Sequence, residues 1–230
     1  MAPEIIRVFD EIAEEYAATR VRPWEEAYLF KVGPVLDLGS GPGRHAKVMA
    51  ERGIRVVAAD ISKRMLEIAL ERASNFSHIV DAVICEMSNL PFRDKSFRGV
   101  LFLAAIHHIR GNENRLNVLR EVKRVLKDKG MLVISAWALY QRRFLKKIPK
   151  MLFNRVIGKV REFGDTYVPW KSRKGTFMRF YHLFTKRELV RLVREAGFRI
   201  EKVYGKSFKS RFLSENHLVV ARRIQNGKKV

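Results

Sequence analysis

The stretch "PVLDLGSGPGRHAKVMA", residues 34–50, limits the possible folds more than any other part of the chain. It sets an apolar run, a glycine-rich turn and an amphipathic segment in direct succession. Gly39, Gly41 and Gly43 allow a tight turn and let a ligand approach the backbone closely. A strand that ends in such a turn and opens a helix begins an open parallel sheet. Ligands of such sheets sit beyond the carboxyl ends of the strands. The next apolar run, "IRVVAAD" (54–60), ends in Asp60. An acid about twenty residues past the loop suits a pair of ribose hydroxyls. Loop and acid together point to a nucleoside cofactor. The dinucleotide fingerprint G-x-G-x-x-G would need a third glycine at position 44, where Arg44 stands, and the phosphate-gripping G-K-[ST] is absent.

The alternation continues along the chain. Ile5, Val8, Phe9, Ile12, Ala13 and Tyr16 form one helical face over 5–19, within an N-terminal helical segment of residues 1–30. A helix follows the glycine loop over 44–52, and Ser62 caps another over 63–73. Residues 78–86, 99–106 and 130–138 read as strands. Leu116, Leu119, Val122, Val125 and Leu126 share one face of a helix over 112–127. Continuously apolar strands between helices predict a parallel sheet covered on both faces. A last helix over 185–196 starts at Thr185 and stops at Gly197. The strands 198–206 and 215–223 are spaced to pair antiparallel. Residues 140–184 show no clean strand. The expected fold is α/β and Rossmann-like, with a mostly parallel seven-stranded sheet. The basic, aromatic stretch 140–184 is an insertion before the last helix and hairpin of a single domain over 1–230.

The 46 Lys and Arg against 24 Asp and Glu give a net charge of +22. Such a field favours a polyanionic partner. The charge is concentrated: residues 141–179 hold twelve Lys and Arg and only two acids, Glu162 and Asp165. Within "VPWKSRKGTFMRFYHLF" (168–184), Lys171, Arg173, Lys174 and Arg179 alternate with Trp170, Phe177, Phe180 and Tyr181. Cations track phosphates, and aromatic rings stack unpaired bases. Cys85 is the single cysteine, so no intrachain disulfide forms. No apolar run reaches a membrane-spanning length and no signal-peptide pattern opens the chain. The expectation is a cytoplasmic protein without a membrane partner.

The spacing D-x-G-x-G-x-G from Asp37 resembles motif I of the class I S-adenosylmethionine-dependent methyltransferases. "CEMSNLPFRDKSF" (85–97) resembles that family's acid-x-x-x-LPF-x-x-x-SF segment, with Glu86 in place of the usual Asp. "LKDKGMLVIS" (126–135) resembles its L-K-P-G-G turn, with Asp128 and Lys129 replacing Pro-Gly. Four further pieces, "YAATRVRPW" (16–24), "AAIHHI" (104–109), "AWALYQ" (136–141) and "YVPWKSRKGTFMRFYHLF" (167–184), are similar, in this order, to the tRNA methyltransferases that esterify 5-carboxymethyluridine at the wobble position. The resemblance implies S-adenosyl-L-methionine as cofactor, held by Asp37, Gly39, Ser40, Gly41, Gly43, Asp60, Ile61, Glu86, Met87 and Ala104. It implies the anticodon arm of tRNA as partner, with Trp137, Trp170, Lys171, Arg173, Lys174, Tyr181 and His182 on the substrate. It also implies a small zinc-binding activator subunit of the kind that eukaryotic members use.

A carboxylate nucleophile is ionised at neutral pH and needs no general base. It needs a cation that fixes its plane, a task suited to the arginine fork. Arg20 and Arg179 are the candidates. Of His107 and His108, after the fourth strand, one is expected to face the transferred methyl group and the other to pack. His45, His107, His108 and His182 show no zinc-ligand spacing, so no metal is expected. Two other readings stay open: a methyltransferase acting on another tRNA atom, and one acting on a small molecule.

Overall fold

The computed structural model describes residues 3–208 and 213–224. Its strands are β1 (Val35–Leu38), β2 (Val56–Asp60), β3 (Val80–Ile84), β4 (Phe97–Phe102), β5 (Leu126–Trp137), β6 (Asp165–Ser172), β7 (Gly175–His182), β8 (Phe198–Lys206) and β9 (Asn216–Arg223). Seven of them form one sheet in the order β3-β2-β1-β4-β5-β9-β8. The first five run parallel, and β9 and β8 complete the sheet antiparallel. Strand order reverses between β1 and β4, which opens a crevice at their carboxyl ends. This is the Rossmann-like architecture expected from the sequence.

Side chains alternate across the sheet. Leu36, Phe102, Ile134 and Val219 pack on one face with Leu119 of α5 (Asn112–Val125) and Leu192 of α8 (Lys186–Glu195). Val35, Leu101, Val133 and Leu218 pack on the other with Met49 of α3 (Arg44–Ala50) and Leu66 of α4 (Lys63–Arg72). Apolar demand on both faces is why these strands read as unbroken apolar runs. Ser62 caps α4 by accepting from the Met65 amide at 3.1 Å. Thr185 and Glu188 form a reciprocal capping box on α8.

Several boundaries differ from expectation. The helix over 5–19 is two helices, α1 (Pro3–Glu11) and α2 (Ala13–Thr19), broken at Ile12. The break lets Val8, Ile12, Ala13 and Ala17 all pack with Met65 and Ile68 of α4. Strand β4 stops at Phe102, and the chain turns through Ala104, at φ 52°, into a 3-10 turn over Ile106–His108. The insertion is ordered. It holds α6 (Arg142–Leu145), α7 (Ile148–Val156) and a β6–β7 hairpin where no strand was expected. Lysines and arginines among its aromatic residues hide the period-two pattern. Val168 lies opposite Arg179 and Trp170 opposite Phe177, so that face carries both core and cationic residues.

Candidate active site

The donor half of the crevice is made mostly of backbone. Asp60 Oδ2 accepts the Gly41 amide at 2.8 Å, and its Oδ1 accepts the Ser62 amide at 3.0 Å. The acid is therefore fixed, with further lone pairs left for hydroxyl donors. Burial pushes its carboxyl above the ordinary range. Gly39 lies so close to Ala105 and Met87 that an added Cβ would come 2.6 Å and 2.9 Å from them. Over Gly41 there is room, with the Tyr16 ring 4.0 Å from such a Cβ. Asp37 is buried, its Oδ2 has no partner, and burial raises its pKa to about 7. Such an acceptor suits an amino group. Ser40, Ile61 and Met87 are buried nearby, and Gly43 opens α3 in left-handed conformation. Glu86 follows β3 and accepts from the Ser88 hydroxyl at 3.3 Å. Ala104 donates its amide to Ser135 Oγ at 2.8 Å.

A cavity of about 610 Å³ adjoins this half. Its walls come from α1, the loop after β3, the 3-10 turn, α5 and the hairpin, and they include Met87, His108 and Arg179. The glycine loop and Asp60 are not among its lining residues, so loop and cavity are neighbouring compartments sharing Met87.

His107 and His108 have different places. His107 is 1% exposed and stacks on Tyr181 with ring centroids 4.7 Å apart. Its Nδ1 accepts the Trp137 amide at 3.4 Å, which puts its proton on Nε2. His108 lines the cavity, and its Nδ1 lies 3.0 Å from the Phe180 carbonyl. A carbonyl only accepts, so His108 carries its proton on Nδ1 and keeps Nε2 as an acceptor. Burial lowers the His108 pKa to about 3, with Arg179 adding to the effect. Burial also holds His107 well below the usual histidine range.

Arg179 is 6% exposed and lies over the Trp170 and Tyr181 rings at 5.0 Å and 5.3 Å. Its Nε has no hydrogen-bond partner, and no carboxylate among the described residues pairs with it. Arg20 sits at the end of α2 with its guanidinium 5.2 Å from the Tyr16 ring. Tyr16 in turn packs on Trp170 at 5.4 Å. Trp137 contacts Tyr181 at 4.5 Å and carries Arg143 over its ring at 5.1 Å. The buried Tyr181 phenol is pushed up to about 12 by burial, while Arg179, Arg143 and Arg20 pull it the other way. Arg143 was not a candidate on sequence. One arginine in a run of basic residues carries no signal of its own.

The remaining expected substrate residues fall elsewhere. His182 does not face the cavity. It is 1% exposed, and both its nitrogens are held, Nδ1 by Asp165 at 2.8 Å and Nε2 by Glu188 at 2.7 Å. Burial opposes its charge, but the two carboxylates outweigh that and raise its pKa. Glu162, Asp165 and His182 bring ligand-type atoms within 4.8 Å of one another, and the fully buried Arg115 donates to Glu162 at 2.7 Å. The cluster is a hydrogen-bonded ionic network tying α5 and α8 to the hairpin. At the hairpin tip, Lys174 pairs with Glu11 at 2.9 Å and the Arg173 amide donates to Glu15 at 2.9 Å. Lys171 is exposed beside them. Trp170 is half-buried, with its Nε1 unpartnered. The tip thus lies against the N-terminal helices through contacts of exposed side chains.

Residues 36–134 match the family model described as a methyltransferase domain. A protein of Encephalitozoon cuniculi, named as a methyltransferase, is 32% identical over 200 residues, covering 84% of this chain and 86% of that protein. The tRNA (carboxymethyluridine(34)-5-O)-methyltransferase of Schizosaccharomyces pombe is 29% identical over 220 residues, covering 83% of this chain and 86% of that protein. The protein of the same name from Xenopus tropicalis is 32% identical over 140 residues, covering 59% of this chain; the chain spans only 21% of that frog protein. Among solved structures, an S-adenosylmethionine-dependent methyltransferase of Methanosarcina mazei superposes with a TM-score of 0.71 at 23% identity, covering 88% of this chain and 98% of that one. Among the described residues, no helix is long and apolar enough to cross a membrane.

Proposed function

The chain belongs to the class I S-adenosylmethionine-dependent methyltransferases, and from that premise we propose that it esterifies the carboxylate of 5-carboxymethyluridine at the wobble position of tRNA. The observation that carries this reading is Arg179. A buried guanidinium with a free Nε and no carboxylate partner is costly unless an anion joins it. A substrate carboxylate arriving through the cavity would supply that anion.

The residues present fit the cofactor. Asp60 offers its carboxylate to the ribose hydroxyls, Gly41 leaves room for close approach, and the orphaned Asp37 Oδ2 awaits an amino group. When bound, S-adenosylmethionine supplies a methyl group already activated on a sulfonium. The protein's task is then alignment and exclusion of water. Arg179 holds the incoming carboxylate in one plane, backed by the Trp170 and Tyr181 rings. Arg20 lies behind Tyr16 on the same side. His108 keeps its proton on Nδ1 for the Phe180 carbonyl, so its Nε2 is an acceptor toward the cavity. With a pKa near 3, His108 is a weak base at neutral pH. That favours a nucleophile that has no proton to lose over a ring atom that must shed one. His107, buried behind it, positions Tyr181. The basic hairpin and the α6–α7 segment favour the phosphates of an anticodon arm, and the name of the fission yeast relative supports the same substrate.

The test is single-turnover transfer of labelled methyl to tRNA with saturating enzyme, followed by mild alkali. The label should leave as methanol, and the rate should stay nearly flat between pH 8 and 6, because the substrate carboxyl titrates near roughly 4. Alkali-stable label, or a rate falling tenfold per unit below pH 7, would overturn the carboxylate assignment. Reversing Lys171, Arg173 and Lys174 to Glu should weaken RNA binding and lessen its salt dependence while sparing cofactor affinity.

A further inference from the structure

Part of the cavity lining is not assigned to methyl transfer. It is formed by Arg110 at the end of the 3-10 turn, by Asn114 and Asn117 on the first turns of α5, and by Tyr167, Met178 and Phe180 of the hairpin. Arg110 is exposed yet fixed in orientation. Its guanidinium lies 4.2 Å from the Phe180 ring centre and 5.4 Å from that of Tyr167. It also donates to the Tyr167 hydroxyl at 2.7 Å. No carboxylate among the described residues pairs with it. The guanidinium therefore lies against aromatic rings while Arg110 stays exposed and lines the cavity.

The asparagines beside it have defined orientations. Asn114 Nδ2 donates to the Arg110 carbonyl at 2.9 Å, which leaves its Oδ1 free to accept. Asn117 Oδ1 accepts from Arg120 at 2.7 Å, which leaves its Nδ2 free to donate. One amide acceptor and one amide donor, three residues apart on one helix, border a flat cationic platform. Among the described lining residues the one carboxylate, Glu121, is occupied by Arg124 and by the Leu90 amide. A site with a planar cation, paired edge groups and, among the described residues, no free carboxylate suits an unpaired nucleobase. Guanidinium planes and aromatic rings are the usual stacking partners of such bases.

We propose that Arg110, set on Phe180 and Tyr167, is the stacking platform for a second unpaired base of the RNA, next to the nucleotide being methylated, with Asn114 and Asn117 at its edge. This rests on the reading of the substrate as an anticodon loop. It adds that the enzyme holds a neighbouring base as well as the acceptor, and so reads loop sequence.

The experiment uses the full chain and an anticodon stem–loop RNA carrying 5-carboxymethyluridine. Arg110→Ala should raise the Kd for this RNA about tenfold, in the range of one lost base stack. Removing the base on one side of the acceptor, to leave an abasic site, should cost the wild type a similar factor and Arg110→Ala nothing further. Arg110→Lys should behave as Arg110→Ala, since lysine keeps the charge but not the plane. Recovery of affinity by Arg110→Lys would make the contact a phosphate and overturn the proposal. Losses that simply multiply for abasic sites on both sides would overturn it too. If the wild type neither binds nor methylates this RNA, the tRNA reading falls and takes this proposal with it.

Discussion

Strand β7 carries two residues three positions apart, Arg179 and His182, that belong to two buried arginine–histidine clusters. Arg179 meets His108 at the cavity, and His182 meets Arg115 between α5 and α8. The residue types match, but the counter-charges do not. Around His182 and Arg115 stand Glu162, Asp165 and Glu188, at bond lengths of 2.7 to 2.8 Å. Around Arg179 and His108 there are aromatic rings and a carbonyl, and among the described residues no carboxylate pairs with either. The His182–Arg115 cluster has a carboxylate for each of its cations, although Arg115 Nε, like Arg179 Nε, lacks a partner, and it holds elements together. The second is short of an anion, and that shortfall makes it a candidate for substrate.

The largest expected effect comes from breaking the complete cluster. Glu162→Ala leaves Arg115 buried without its carboxylate and should cost about 3–5 kcal/mol of stability in denaturant unfolding. A loss under 1 kcal/mol would mean that the two clusters do not differ as described. Breaking the incomplete cluster should do the reverse. Arg179→Ala should slow single-turnover methyl transfer roughly a hundredfold through misplacement of the acceptor. Its Tm should hold or rise, because an unpaired buried charge has been removed. Arg179→Lys should stay slow, since a point charge does not fix a carboxylate's plane.

A smaller effect separates the clusters by pH. The His182 pKa is raised on folding, so its contribution to stability is full below the unfolded value of roughly 6.5. That contribution is lost as pH climbs through the folded value. His45, His107, His108 and His217 are shifted down, so they cost nothing above the same unfolded value and take stability away as pH falls from it toward their folded values. The clean measurement is therefore the stability difference between wild type and His182→Gln. It should shrink from pH 6 to pH 9, and a difference constant over that range would remove the charge from His182. The smallest effect belongs to the exposed pair Lys174–Glu11 at the hairpin tip. Lys174→Ala should leave the Tm almost unchanged, and a large drop would mean that the tip is a structural anchor.

Of the two halves of the crevice, the donor half was the more legible in sequence. Gly39, Gly41, Gly43 and Asp60 lie within one strand–turn–helix–strand unit, and backbone requirements write themselves into the residue types at fixed spacing. The acceptor half draws on α1, α2, α5 and the hairpin. Arg179 and His182 both read as substrate residues of one aromatic stretch, Arg179 on the carboxylate and His182 beside it, and only the fold separates the cavity-lining arginine from the internally paired histidine. The hairpin itself was hidden, because one face of it must carry Val168 and Tyr181 for the core together with Arg179 for the cavity. Arg110 and Arg143 gave no signal, since an arginine's role depends on which rings lie beneath it.

The sequence by itself determined the mostly parallel sheet and the glycine loop, since these follow from local periodicity and from conformations that only certain residues adopt, while the strand order and its switch point came from the structure. The sequence also set the concentration of positive charge on the insertion. Tertiary structure alone decided which histidine faces the cavity, which tautomer each one holds, and which buried arginine is left without a carboxylate. Those properties depend on distances between groups far apart in the chain. The energy of a buried charge is fixed by the groups within a few ångströms of it, whatever their separation in sequence.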